Sequence, residues 1–129
     1  MAQPQVILAL DSGSLILAGK DGRVEAIIRK WLRQGARLLV PAPSIAESIR
    51  DRPQDASINR IIRAIDNVAN TTEAIARDAG ARLASNRSKE TVDALIVATA
   101  FANSATDILT TDADDIRKLA DPDMNIIVL

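Results

Sequence analysis

The stretch Thr91-Val92-Asp93-Ala94-Leu95-Ile96-Val97-Ala98-Thr99-Ala100-Phe101-Ala102 decides how the rest of the chain must be arranged. Its pattern predicts a helix that is apolar nearly all round. Such a helix is buried, here against a sheet. One acid, Asp93, stands in its first turn. A buried carboxylate is costly unless it is paired, protonated or bound to a cation. Asp93 is therefore either a first-turn acid favoured by the helix dipole, beside Lys89 one turn back, or one of several carboxylates gathered round a cation.

Outward from this helix the chain alternates between short apolar runs and amphipathic segments. Residues 6–10 read as a buried strand ending at Asp11-Ser12-Gly13-Ser14, where Asp11 or a serine caps the next helix. A turn over 19–22 leads to a helix over 24–34, with Ile27, Ile28, Trp31 and Leu32 inward. At this spacing Trp31 reads as core rather than as a platform for stacked bases. Residues 37–40 form a second strand, stopped by Pro41 and Pro43. Ser44 and Glu47 have the spacing of a capping box for a helix reaching about residue 50. Residues 52–55 read as a loop, 58–68 as a helix and 68–70 as a short third strand. Thr71 or Thr72 caps a helix to about residue 85. After the buried helix come a fourth strand at 107–110, a helix from 112 to about 120 and a last strand at 126–129. Strands alternating with helices imply one domain over 1–129, of α/β class. It is a three-layer α/β/α sandwich with a mostly parallel central sheet of four to five strands.

Composition narrows the chemistry. The 129 residues are 47% hydrophobic and 26% charged, with no His, no Cys and no Tyr. Histidine-dependent triads, disulfides and zinc–thiolate sites are excluded. Metal chemistry must run on carboxylates, which suits hard cations such as Mg2+ or Mn2+. Apolar runs are too short to span a bilayer, and the N-terminus lacks the pattern of a secretory signal, so the expected compartment is the cytoplasm. Net charge is only −1, but residues 20–37 carry six cationic side chains against two acids, and residues 106–129 carry six aspartates against two cations. That segregation suits a protein holding cations in one place and polyanions beside it; it also suits solvated helix faces.

In a parallel α/β sheet, ligands bind where loops leave the carboxyl ends of the strands. Asp11 leaves strand one, Glu47 follows strand two and Asp112 follows strand four. The Asp93 helix must deliver the chain to the start of strand four, so it begins at that same edge. Each acid alone reads equally as a helix N-terminal acid. Four on one edge, with no Lys or Arg immediately adjacent in sequence, point to a shared cation. Such a site suits phosphodiester hydrolysis. Asp115 either adds an outer ligand or caps its helix with Asp112. Ser12 and Thr110 are placed to support the acids by hydrogen bonding.

Four segments carry a family resemblance: Leu10-Asp11-Ser12-Gly13, Pro41-Ala42-Pro43-Ser44-Ile45-Ala46-Glu47, Val92 to Ala100, and Leu109-Thr110-Thr111-Asp112-Ala113-Asp114-Asp115. In order and spacing they resemble the PIN-domain ribonucleases, and among them the VapC-type toxins of bacterial type II toxin–antitoxin pairs. Ser12 stands where threonine is frequent in that family, and the hydroxyl is kept. The resemblance implies that Asp11, Glu47, Asp93 and Asp112 are the metal-binding catalytic acids. It implies Mg2+- or Mn2+-dependent cleavage of RNA, a homodimer, and inhibition by a small antitoxin protein.

Arg50 and Arg52, with Arg87 and Lys89, are the expected RNA-phosphate contacts, and Arg60 and Arg63 are further candidates. So few aromatic residues leave little scope for base stacking. Two other readings compete. A receiver-like signalling domain also gathers acids round Mg2+, but it wants a lysine at the end of a late strand, whereas Lys118 falls inside a helix. A noncatalytic interaction module would use the acids only as helix caps.

Overall fold

The computed structural model describes residues 5–129. Its strands are β1 (Ile7–Leu10), β2 (Arg37–Pro41), β3 (Val68–Ala69), β4 (Asp107–Thr110) and β5 (Asn125–Val128). They form one sheet, all parallel, in the order β3-β2-β1-β4-β5. Alternation along the strands explains their continuous apolar runs. Leu8, Leu10, Leu38 and Val40 enter one core, while Ala9, Leu39 and Ile108 enter another on the opposite face. A parallel sheet covered on both faces has no solvent side to encode.

Helices α1 (Ser12–Lys20), α2 (Gly22–Arg33) and α4 (Asp55–Ile65) cover the first face. Helices α5 (Glu73–Asn86), α6 (Thr91–Ala102) and α7 (Ala113–Leu119) cover the second. The short α3 (Ala42–Ser48) packs on both α1 and α6 and so closes the carboxyl edge of the sheet. The result is the expected three-layer α/β/α sandwich. Helix α6 buries Ala94, Ile96, Val97, Ala98, Thr99 and Ala100, while Phe101 and Ala102 at its end are exposed. No helix among the described residues is long and apolar enough to cross a membrane.

Three local expectations are corrected. Ile27 is 43% exposed, because Val24 and Ile28 set the buried face of α2 and Ile27 falls about 100° round from Ile28. Trp31 and Leu32 are partly buried against that core. Helix α4 begins at Asp55, inside the stretch read as a loop, and ends where Asp66 takes a left-handed conformation at φ 51°. The Asp55 carboxylate organises that start, accepting the N–H of Arg50 at 2.8 Å and of Arg52 at 3.1 Å. Finally, Ser44 does not cap α3. The helix starts at Ala42 after Pro41, and the buried Ser44 hydroxyl instead donates to Leu10 O at 2.9 Å, tying α3 to the end of β1. Pairing of a side chain with a distant strand has displaced the local cap.

Candidate metal centre

Strands β1 and β4 are neighbours whose onward connections run to opposite sides of the sheet. The crevice above such a pair is where α/β sheets hold ligands. Asp11 ends β1 and caps α1: its Oδ1 accepts Ser14 N–H and lies 2.8 Å from Ser14 Oγ, and its Oδ2 accepts the Thr110 hydroxyl at 2.5 Å. The same Thr110 oxygen accepts the N–H of Asp112 at 2.8 Å. One hydroxyl thus links the acids at the ends of the two strands. Asp11 is 4% exposed, and burial pushes its carboxyl above the ordinary range. The donors from Thr110 and Ser14 oppose that rise, and the charge of Asp112 adds to it.

Glu47 comes from α3 and accepts the Ser12 hydroxyl at 2.6 Å. Asp93 enters from the first turn of α6. Its carboxyl is pushed up to about 6, first by burial and then by the charges of Glu47, Asp11, Glu90 and Asp115. Asp115, in the first turn of α7, is raised by hydrogen bonding and charge repulsion from Asp112, with Lys118 opposing. Asp11, Glu47, Asp93, Asp112 and Asp115 therefore share one electrostatic neighbourhood at the carboxyl edge. Among the described residues, no Lys or Arg forms an ion pair with any of them, Lys89 included. Nor are they mostly caps: α3, α6 and α7 have no side-chain cap bond, and only Asp11 serves its helix that way.

One grouping of three acids includes a residue that the sequence did not single out. Oxygens of Glu90, Asp93 and Asp115 all lie within 4.8 Å of one another, whereas Asp11 and Glu47 turn oxygens toward hydroxyl donors. Glu90 immediately precedes α6, three residues before Asp93, and that spacing places two side chains on one helix face. Ser14 joins the site in the same way. It is fully buried, lies within 2.6 Å of Leu109 O and carries no local pattern that sets it apart from Ser12. The donor set is all oxygen, with no balancing cation paired to it among the described residues. It has the character of a site for a hard divalent ion.

The expected RNA contacts divide into two kinds. Arg50 folds its guanidinium back onto Ala46 O and Ile49 O at the end of α3, and Arg52 pairs with the buried Asp55 at 3.2 Å. Both are already engaged by the chain. Arg87, left-handed at the end of α5, and Lys89 are exposed, with no ion-pair partner among the described residues. Lys118 lies inside α7 rather than at a strand end, as the receiver-like reading would have required.

A parallel α/β sandwich with a carboxylate cluster above its switch point defines the class of fold and site. Within that class the chain belongs to the PIN domain family, whose sequence profile matches residues 8–122. Among solved structures, it resembles VapBC2 from Rickettsia felis bound to a DNA fragment from its promoter, with a TM-score of 0.74 at 13% identity over 96% of this chain and 99% of that one. FitAcB from Neisseria gonorrhoeae aligns with a TM-score of 0.60 at 17% identity, covering 93% and 96% of the two chains. VapC20 from Mycobacterium tuberculosis, a sarcin–ricin loop cleaving toxin, gives 0.60 at 14% identity over 84% and 93%. No curated protein sequence matches the chain.

Proposed function

We propose that this chain is a divalent-metal-dependent endoribonuclease and the toxin of a toxin–antitoxin pair. The observation that carries the reading is the cluster of Asp11, Glu47, Asp93, Asp112, Asp115 and Glu90, paired with no Lys or Arg among the described residues, at the switch point of a PIN fold. Asp11, Glu47, Asp93 and Asp112 hold Mg2+ or Mn2+, and Asp115 and Glu90 extend the donor set outward. When bound, the ion supplies an activated water and charge stabilisation at the scissile phosphate. The chain's own task is positional. Thr110 fixes Asp11 relative to Asp112, Ser12 fixes Glu47, and the buried Ser14 braces Asp11 from below.

RNA is held by its phosphates, chiefly by Arg87 and Lys89, with Arg50, Arg52, Arg60 and Arg63 contributing where their intramolecular bonds can be exchanged. Such contacts position RNA without reading its sequence. Support for the RNA substrate and antitoxin comes from the fold neighbours: one is a sarcin–ricin loop cleaving toxin, and another is a VapBC complex. The working form is a homodimer, blocked by a small antitoxin protein, and an RNA substrate places it in the cytoplasm.

Incubating the protein and its Asp93→Asn variant with total cellular RNA and Mg2+ tests the reading. The parent should produce discrete fragments that EDTA abolishes and the variant fails to make. Intact RNA in every reaction, with a folded parent protein, would overturn it.

A further inference from the structure

Gly13 and Thr111 meet where the first turn of α1 passes the loop between β4 and α7. A Cβ added at Gly13 would stand 2.0 Å from Thr111 Oγ1, 3.3 Å from its Cβ and 3.5 Å from its Cγ2. Saturated carbons pack at about 3.5–4.0 Å. Rotating the Thr111 side chain moves Oγ1 and Cγ2 but leaves its Cβ in place, so relief must come partly from the loop backbone. Nothing else demands glycine here. Gly13 is helical, and Gly35 alone among the described glycines has positive φ.

The residues flanking this contact belong to the acid cluster. Gly13 is two positions after Asp11. Thr111 sits between Thr110, which donates to Asp11, and Asp112, whose N–H returns to Thr110. We propose that Gly13 and Thr111 form an interlock that sets the gap between Asp11 and Asp112. The missing side chain lets the β4–α7 loop rest directly on α1 and holds the Asp112 backbone against Thr110. Any side chain at position 13 lifts the loop and widens the gap that the cation must fill. Both are positioning residues, and the inference rests on the metal-site reading proposed above.

Calorimetric titration of Mn2+ into the parent, Gly13→Ala, Thr111→Ala and the double variant tests it. Displaced supporting groups weaken metal binding by about tenfold or more, and Gly13→Ala should do the same. Adding Thr111→Ala to Gly13→Ala should restore affinity to within about threefold of the parent, because it removes Oγ1 at 2.0 Å and leaves only the Cβ contact at 3.3 Å, which a shift of a few tenths of an ångström relieves. A damaged helix would not be rescued by trimming a side chain on another loop. If the parent binds Mn2+ and Gly13→Ala binds equally well, the interlock is wrong while the metal site stands. The interlock fails in the same way if Gly13→Ala binds weakly and the double variant recovers nothing. Should Gly13→Ala fail to fold, the double variant must fold and bind for the interlock to survive. A parent that takes up no Mn2+ removes the metal site and the interlock together.

Discussion

Asp93 carries the largest consequence of any single side chain. Its carboxyl sits near pH 6 in the folded protein because burial and four neighbouring acids disfavour its charge. In the unfolded chain it titrates near the ordinary 3.8. A raised carboxyl contributes stability that is fully present below about pH 4 and is lost as pH rises through 6. The metal-free parent should therefore lose more thermal stability between pH 5 and pH 7.5 than Asp93→Asn does; parallel melting curves across that range would refute this. On the proposed reading, the same neighbours that penalise the charge prepare it for a cation. Glu90 shares this role, since its oxygen stands with those of Asp93 and Asp115. Glu90→Gln should weaken Mn2+ binding by about tenfold, the loss typical of a supporting ligand, with little change in the metal-free melting temperature. Calorimetry on the two proteins reads both effects.

At the scale of elements, the crossing of α1 and α4 depends on a missing side chain. A Cβ at Gly19 would stand 2.7 Å from Ile58 Cγ1, and Ile58 is 4% exposed in the core. Gly19→Ala should cost about 1–3 kcal/mol, the usual penalty of overpacking, and lower the thermal midpoint by several degrees. Because alanine at position 58 lacks the clashing Cγ1, Gly19→Ala should cost less in an Ile58→Ala background than in the parent; an unchanged midpoint in Gly19→Ala alone would show that α4 shifts freely. Most elements are legible in the sequence because their signals are local. The apolar runs of β1, β2 and β4, the Thr72 cap of α5 and the near-total apolarity of α6 each lie within a dozen residues. The α3 start is misleading in sequence because Ser44 and Glu47 match a capping box, yet both side chains bond across the fold, to Leu10 O and to Ser12. The start of α4 is hidden because its organising carboxylate, Asp55, acts on the backbone of Arg50 and Arg52 rather than through a helical pattern.

At the scale of the whole molecule, a carboxylate cluster lies at the carboxyl edge, and Arg87 and Lys89 are exposed just ahead of α6 in the chain. A ligand bound only by the folded state raises its melting temperature, so millimolar Mg2+ should stabilise the parent and do much less for Asp93→Asn. No shift in either protein would remove the divalent ion from the proposed function. RNA affinity should fall steeply with salt, and removing one phosphate contact lowers the salt slope by about 1. That result is expected for Lys89→Ala, in a filter-binding series with Asp93→Asn as the cleavage-dead background. An unchanged slope would remove Lys89 from the RNA surface.

The linear chain was enough to settle the class of fold, to restrict metal chemistry to oxygen ligands and to nominate four acids. Hydrophobic periodicity, the absence of His and Cys, and motif spacing are all written along it. Which atoms meet was left to packing in three dimensions. Packing set β1 beside β4, joined Asp11 to Asp112 through Thr110, drew Glu90 into the cluster and turned Arg50 and Arg52 back onto their own loop. Those outcomes depend on how two cores pack on one sheet and bring distant segments to a common edge, and no short stretch of sequence encodes that.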